Sequence, residues 1–218
     1  MAITFYYGAG SPFAWRVWLA LEHKLLDYEL RVLSFSEGAL KKADFAKLNP
    51  RRKVPVLVDA QGRDSFILYE SAAILEYLEE AYPGSGMPLF PGDARGRALV
   101  RRMVCEADHY VAPAVNRLLA RVLFTPQPQW NEDKIAAARK DCAEELNAWA
   151  FQMRGDYLAG PLSAADLTLY PMVALALRCE TRRPDLALGA ALPQQMGRWM
   201  QRVEALPYIS KTWPPHWK

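Results

Sequence analysis

Ser11 lies between two different hydrophobic patterns, and its hydroxyl is suited either to cap a helix or to take part in a reaction. The preceding residues, ITFYY at 3–7, alternate in the way typical of a half-buried strand. After Ser11, Pro12 suits the first position of a helix, and apolar residues then recur every three or four positions: Ala14, Val17, Leu21 and Leu25. Read locally, Ser11 is a helix N-cap whose oxygen accepts from free backbone N–H groups. The alternative is that the same hydroxyl is a catalytic group.

A second polar pair, Glu70 and Ser71, precedes another amphipathic segment. Taken alone, the pair is a surface acid followed by a helix cap. No Ser-His-Asp arrangement is visible, so Ser11 is not predicted to be a nucleophile. The three cysteines, Cys105, Cys142 and Cys179, lie far apart without any C-x-x-C spacing, which argues against a metal site and suits a reducing cytoplasm.

Strand and helix patterns alternate along residues 1–82. The predicted elements are a strand at 3–7, a helix from 12, a strand at 28–33, a short helix at 38–48, strands at 54–59 and 66–69, and a helix at about 71–82. The turn-rich AQGRDS at 60–65 suggests an antiparallel hairpin. In the last helix, Glu76, Glu79 and Glu80 are expected to point outward. The order β-α-β-α-β-β-α indicates an α/β domain.

Residues 83–92, within YPGSGMPLFPGD, are rich in Pro and Gly and are predicted to be a linker. Residues 93–218 show helical faces and no convincing strand, which predicts a second, all-helical domain. Ser163 and Asp166 are spaced as a capping box before the apolar LTLYPMVALALR, a predicted central helix. This pair is therefore interpreted as structural.

Composition limits the classes of function. The chain has 218 residues, 51% of them hydrophobic and 23% charged, and a formal net charge of +3, typical of a globular protein without large disordered regions. Four arginines cluster at the beginning of one predicted helix: Arg95, Arg97, Arg101 and Arg102. The cluster is interpreted as a solvated face, so no nucleic-acid partner is predicted. No leader precedes the first strand and the longest apolar run is too short to span a bilayer, so we expect neither secretion nor a membrane.

Three stretches in this order resemble the cytosolic glutathione S-transferases over essentially the whole chain. They are SPFAWRV after the first strand, NPRRKVPVLV in the middle of the first domain and LYESAAILEYLEEAYP at its end. The SPF, K-V-P and E-S elements look most like the serine-dependent, plant-type and bacterial members. The resemblance implies a thioredoxin-like domain followed by a helical bundle, a homodimer, and a cis Val54–Pro55 bond.

The resemblance also implies a glutathione site built from these motifs. Glu70 would face the ammonium of the γ-glutamyl group, while Ser71 and the helix N-terminus there would take its carboxylate. The Val54 backbone would pair with the cysteinyl peptide as an added strand does. Lys53 and Lys41 would hold the glycine carboxylate, although Lys42 lies beside Lys41 and the loop is one residue shorter than in the plant-type members.

The resemblance also implies a chemical role for Ser11. A hydroxyl hydrogen bond together with a helix N-terminus stabilises a thiolate, and Ser11 lies at such an end. Other branches of the family use a tyrosine of the first strand, so Tyr6 and Tyr7 are second choices. Tyr7 shares its face with Ile3 and Phe5, which also fits core packing.

The predicted function is conjugation of glutathione, a co-substrate, to small and largely apolar electrophiles, without a metal or bound cofactor. Phe13 is assigned both to the glutathione site and, with Tyr110 and Tyr170, to the second-substrate pocket, although each of these aromatics also suits a core. Isomerisation is a weaker hypothesis, since GSPFAW lacks the consecutive Ser and Cys that the isomerase branch tends to show. The alternative function is a non-catalytic or regulatory interaction protein on the same fold.

Overall fold

The computed structural model describes residues 2–60 and 64–217, which form two compact units. The second unit is Pro91–Leu206, and the first contains the described residues on both sides of it. The boundary after Phe90 thus falls inside the predicted linker, residues 83–92. The C-terminal segment, residues 207–217, belongs to the first unit, whereas the sequence grouped it with the helical domain.

A mixed four-stranded sheet forms the centre of the first unit. Its strands are β1 (Ile3–Gly8), β2 (Tyr28–Leu33), β3 (Val56–Asp59) and β4 (Phe66–Tyr69). The strand order is β2-β1-β3-β4, with β1 parallel to β2 and antiparallel to β3, and β3 antiparallel to β4. Ile3, Phe5 and Tyr7 are buried, as their alternation predicted. The predicted hairpin between β3 and β4 is present, although residues 61–63 of its connection lie outside the described residues.

Three helices accompany the sheet in the order that the sequence predicted. They are α1 (Pro12–His23), α2 (Ala43–Leu48) and α3 (Ser71–Ala81). The helix expected at 38–48 is divided at Lys42, whose extended backbone separates α2 from a 3-10 turn at Ala39–Lys41. Leu25, expected on the buried face of α1, lies beyond its end and is 80% exposed. The thioredoxin-like α/β domain is confirmed.

Glu79 corrects one expectation about α3. It was predicted to face solvent, but it is 8% exposed and its Oε2 lies 3.1 Å from Lys24 Nζ. The same oxygen accepts from Leu89 N at 2.9 Å, and Oε1 accepts from Phe90 N at 3.4 Å. Burial of a carboxylate is tolerated here because a cation and two backbone donors compensate its lost hydration.

The second unit is helical, as predicted. Its helices are α4 (Ala94–Glu106), α5 (Ala112–Val122), α6 (Glu132–Gln152), α7 (Ala164–Leu177), α8 (Leu188–Ala191) and α9 (Gln194–Glu204). A π-helical turn, Ala107–Val111, joins α4 to α5. The capping box of Ser163 and Asp166 is present at the start of α7, which is buried almost throughout. A further short helix, α10 (Ile209–Thr212), lies in the C-terminal segment of the first unit.

Within the part of the chain that the structure describes, no helix is long and apolar enough to cross a bilayer. In the same part, no three His, Cys, Asp or Glu side chains lie together in a group that could hold a metal ion. Cys142 and Cys179 are buried, Cys105 is exposed, and all three are free thiols.

Candidate functional site

Ser11 is the N-cap of α1, and its hydroxyl remains available to a ligand. Its backbone is extended, with φ −76° and ψ 118°, and its Oγ accepts from Ala14 N at 3.2 Å. The residue is only partly buried. A serine hydroxyl has one proton and two lone pairs. Because the cap uses a lone pair, the O–H proton can still be donated, so the two roles considered for Ser11 are compatible.

Val54 lies beside the carboxyl end of β1. The Val54–Pro55 bond is cis, which confirms what the resemblance implied. A Cβ built on Gly8 would lie 2.5 Å from Phe35 Cζ and 2.9 Å from Val54 Cγ2. A side chain at position 8 would therefore require Phe35 and Val54 to shift. The close approach brings Val54 next to the turn that leads from β1 to Ser11.

Asn49 holds the loop before Val54, and the sequence did not single it out. It is 2% exposed, and its Nδ2 donates to Lys53 O at 2.8 Å while its Oδ1 accepts from Arg51 N at 2.9 Å. The signal in the sequence was Asn followed by Pro, a pair typical of turns. Asn49 therefore fixes the backbone from which Lys53 projects.

The cationic candidates are all exposed, and they occupy different positions around α2. Lys41 ends the 3-10 turn Ala39–Lys41, while Lys53 lies in the loop after α2. A cleft of about 750 Å³ opens nearby. Its lining includes Ala9, Phe35 and Lys42, but not Lys41. Lys42, the neighbour of Lys41 in the sequence, is thus the lysine that faces this cleft.

Glu70 and Ser71 lie together at the start of α3. Glu70 occupies the N-cap position with φ +72°, and it is exposed. Ser71 is the first residue of the helix and is 4% exposed, so it is not the cap that the local pattern suggested. No side chain among the described residues caps α3. Its first N–H groups therefore offer a site for an anion.

Arg16 also lies beside the candidate site residues, and the sequence did not single it out. It is 2% exposed, and its Nη2 donates a hydrogen bond to Ser71 Oγ. Its guanidinium carbon lies 5.4 Å from the centroid of the Phe13 ring. The signal was one arginine within the otherwise apolar AWRVWLAL of α1. Arg16 connects the helix that begins after Ser11 with the helix that begins at Ser71.

Tyr7, one of the second choices, packs in the core as its alternation also allowed. Its ring is completely buried and lies 4.8 Å from that of Trp18, centroid to centroid. Its hydroxyl accepts from Gly10 N at 3.4 Å, and burial raises the pKa of Tyr7 to about 12. Tyr6 is partly buried, with its ring 6.3 Å from that of Phe45. The roles of both tyrosines in activating a thiol stay predictions.

The aromatic residues assigned to the second substrate differ in their exposure. Phe13 is partly buried and Tyr110, on the π-helical turn, is 60% exposed. Tyr170 is completely buried on α7, and its hydroxyl donates to Glu204 Oε1 at 3.4 Å. This burial corrects the assignment of Tyr170, which belongs to the core of the second unit. The assignments of Phe13 and Tyr110 stay predictions.

Comparisons with known proteins agree with these motifs and this fold. A family model described as the N-terminal domain of glutathione S-transferase matches residues 10–81. The chain is 31% identical to glutathione S-transferase 3 of Zea mays, covering 93% of this chain and 89% of that protein. It is 30% identical to a probable maleylacetoacetate isomerase of Vibrio cholerae serotype O1, covering 98% and 96%.

A solved structure extends the agreement to three dimensions. The glutathione S-transferase from the Antarctic clam Laternula elliptica matches with a TM-score of 0.80 at 29% identity, covering 100% of this chain and 94% of that one. The serine-dependent subclass stays a prediction. By the similarity of its sequence over nearly its full length and by its fold, the chain belongs to the glutathione S-transferase family.

Proposed function

We propose that this glutathione transferase conjugates glutathione to small, largely apolar electrophiles, and that Ser11 donates a hydrogen bond to the glutathione thiolate. One observation carries the proposal. The Ser11 hydroxyl stands at the N-terminus of α1, partly exposed, and accepts from Ala14 N in a way that leaves its own proton free to donate. The helix dipole and the hydroxyl would then act on the same sulfur.

The energy required is within reach of this arrangement. A free thiol has a pKa of about 8.5, so only a few per cent is thiolate at neutral pH. Lowering that pKa by two units requires about 2.7 kcal/mol of preferential stabilisation of the anion. A hydrogen bond to a charged group contributes about 1.5–3 kcal/mol, and a helix N-terminus adds about 0.3–1 kcal/mol. The two effects together match the requirement.

The remaining groups of glutathione have partners of suitable chemistry in the first unit. Glu70 would accept from the γ-glutamyl ammonium, and Ser71 with the uncapped N–H groups of α3 would bind the carboxylate. The Val54 backbone would pair with the cysteinyl peptide. Lys53 and Lys41 would bind the glycine carboxylate, with Lys42 as a third candidate because it lines the adjacent cleft.

The test is a pH titration of the thiolate absorbance of bound glutathione in the wild type and in Ser11→Ala. We expect the wild type to lower the thiol pKa by one to two units and Ser11→Ala to return most of that shift, which corresponds to a loss of about fivefold to twentyfold in thiolate fraction near neutral pH. Ser210→Ala, at an exposed position of α10, is the matched control and should behave as the wild type.

Ser11→Asp separates capping from donation. Asp is as good an N-cap as Ser, so the helix should form, but an ionised carboxylate cannot donate and repels a thiolate. We expect a thiol pKa above that in Ser11→Ala. If both variants keep the wild-type thiol pKa, Ser11 is a cap only, and Tyr6, Tyr7 or the helix dipole must activate the thiol.

Isomerisation is a second candidate, favoured by the similarity to the probable maleylacetoacetate isomerase over 98% of this chain. Conjugation forms a carbon–sulfur bond and consumes one thiol per product, whereas isomerisation returns the thiol. Titrating free thiol during turnover of an electrophile, and of maleylacetoacetate, therefore distinguishes the two reactions. A wild type that binds no glutathione would instead favour an interaction protein.

A cytoplasmic homodimer is proposed with this function. Free thiols at Cys105, Cys142 and Cys179 suit a reducing compartment. Phe66 and Ile67, on the edge strand β4, are 47% and 39% exposed and offer apolar surface to a second copy. Sedimentation of the purified protein measures the oligomeric state.

A further inference from the structure

Arg16 is a buried cation in a place where an apolar side chain would be expected. Its neighbours on α1, Trp15 and Val17, are also buried, at 1% and 0% exposure. Removing a charged guanidinium from water is costly unless hydrogen bonds and charge compensate it. A residue retained at such a cost on the helix that follows Ser11 requires a specific contact.

One such contact is with Ser71. Nη2 of Arg16 donates to Ser71 Oγ, and these residues lie 55 positions apart in the chain. The Phe13 ring, 5.4 Å from the guanidinium carbon, adds a cation–π contact that restrains the orientation of the Arg16 side chain. The Ser71 hydroxyl is therefore held from one side by a fixed cationic donor.

The direction of this hydrogen bond determines what Ser71 can offer on its other side. A guanidinium only donates, so Ser71 Oγ must accept from it. The single proton of the hydroxyl then has to point to a different acceptor. Ser71 is also the first residue of α3, whose N–H groups have no side-chain cap among the described residues. The hydroxyl proton of Ser71 and the N-terminus of α3 therefore both favour an anionic acceptor.

We propose that Arg16 is a positioning residue of the glutathione site, which fixes Ser71 as a donor to the γ-glutamyl carboxylate without touching the ligand itself. The proposal rests on the proposed function and adds to it the residue that polarises Ser71. A hydroxyl that accepts from a cation becomes a stronger donor, because hydrogen bonds in a chain polarise one another. Arg16 thus acts on binding of one carboxylate and not on the thiol.

The test uses two ligands that differ only at that carboxylate. The first is reduced glutathione, and the second is its analogue with hydrogen in place of the γ-glutamyl α-carboxylate. Calorimetry gives the dissociation constant of each ligand for the wild type, Arg16→Met, Ser71→Ala and the double variant. Arg31→Met removes an exposed arginine of the same unit and is the matched control.

We expect Arg16→Met to weaken binding of glutathione by about tenfold to a hundredfold, the range for a hydrogen bond to a charged group, while binding of the analogue changes by less than about twofold. Ser71→Ala should likewise weaken binding of glutathione and leave binding of the analogue nearly unchanged. Because Arg16 acts through Ser71, adding Arg16→Met to Ser71→Ala should change the dissociation constant of glutathione by less than about twofold. The thiol pKa of bound glutathione should stay at its wild-type value in Arg16→Met.

Equal losses for both ligands, or losses that multiply in the double variant, would overturn the proposal and leave Arg16 a purely structural residue. If Arg16→Met shows no cooperative thermal unfolding, Arg16→Lys carries the comparison, since it keeps a cation but has no planar fork. Ser71→Ala alone also decides against the proposal if it leaves the preference for glutathione over the analogue unchanged. A wild type that binds neither ligand overturns the glutathione site itself, which is a distinct result.

Discussion

Asp166 is completely buried at the start of α7 and accepts four hydrogen bonds. Its Oδ1 accepts from Leu158 N and Trp199 Nε1, both at 2.9 Å. Its Oδ2 accepts from the N and Oγ of Ser163, at 3.0 and 3.1 Å. Burial raises the pKa of Asp166 to about 6, although all four donors work in the opposite direction. One carboxylate thus joins the capping box, the preceding loop and α9.

This burial predicts a pH dependence of stability with a definite sign. Above the unfolded pKa of about 4, the unfolded chain has released the Asp166 proton, whereas the folded protein keeps it up to about pH 6. The folded state binds more protons in this window, so its stability falls as the pH rises. The contribution of Asp166 should decrease by about 1.4 kcal/mol per pH unit and about 3 kcal/mol in total.

The measurement is the free energy of unfolding in denaturant from pH 4 to pH 7, compared with Asp166→Asn. The variant cannot titrate at this position, so the difference between the two curves isolates Asp166. The free energy of unfolding should be lower in Asp166→Asn than in the wild type, because an amide presents only one acceptor oxygen to these donors. If the stability of the wild type relative to Asp166→Asn instead increased with pH, the four hydrogen bonds would outweigh the effect of burial on the pKa of Asp166.

At the scale of elements, the segment after α3 is anchored to α1. Met87 N donates to His23 O at 3.2 Å. Leu89 N donates to the carboxylate of Glu79, which is paired with the buried Lys24 just after α1. The sequence predicted a Pro/Gly-rich linker at 83–92, and the structure, which describes all of these residues, has neither helix nor strand there. The sequence did not indicate that the first part of this linker is fixed against the first unit.

Gly86 is the position where this anchoring requires glycine. Its φ is +53°, and a Cβ there would lie 2.4 Å from Lys24 C and 2.5 Å from His23 O. Gly86→Ala should therefore lower the free energy of unfolding by about 2 kcal/mol or more, from backbone strain and from overpacking against backbone that cannot move aside. Gly84→Ala is the matched control.

The control position has no heavy atom within 4 Å of a built Cβ, so Gly84→Ala should change stability by less than about 0.5 kcal/mol. Denaturant unfolding of both variants measures the difference. Equal stabilities would mean that the linker detaches readily from α1.

At the scale of the whole molecule, the first unit is assembled from two separated parts of the chain. In the C-terminal segment, Thr212 Oγ1 accepts from Trp15 Nε1 at 3.1 Å, and both residues are buried. Trp213 and Trp217 contact Trp15 edge to face, with ring centroids 5.5 and 5.4 Å away. His23 Nδ1 lies 3.0 Å from the hydroxyl of Tyr208. The segment thus covers α1, the helix capped by Ser11.

Thr212→Val tests the contribution of this covering segment. The two side chains have the same shape, but valine leaves the buried Trp15 N–H without its acceptor, which costs about 1–3 kcal/mol. We expect thermal unfolding of the first unit to shift downward by several degrees. Thr181→Val, at an exposed position of the second unit, should leave the melting temperature within about one degree.

The expected consequence of Thr212→Val is a loss of stability, because the substitution removes a hydrogen bond between the C-terminal segment and α1. An unchanged melting temperature would show that the C-terminal segment docks too weakly to stabilise α1. The tryptophan contacts provide a second readout, because Trp15, Trp213 and Trp217 should become more accessible to a fluorescence quencher when the segment detaches.

Features that depend on neighbouring residues could be predicted from the sequence. Hydrophobic periodicity predicted each strand and the principal helices, Ser11 was recognised as a cap of α1, and the Ser163–Asp166 capping box was read from its spacing. These succeed because helix and strand periods and N-cap chemistry act within a few residues. The cis Val54–Pro55 bond and the glutathione site came from the family resemblance, which local patterns alone do not supply.

Contacts between distant parts of the chain became known from the folded structure alone. It paired Arg16 with Ser71 across 55 positions and Trp15 with Thr212 across 197, buried Glu79 against Lys24, and enclosed Tyr170 in the core. Periodicity tells which face of a helix is apolar, but a lone charge on that face is explained only by the partner it meets. That partner is set by how the sheet and helices pack, and packing is a property of the folded chain as a whole.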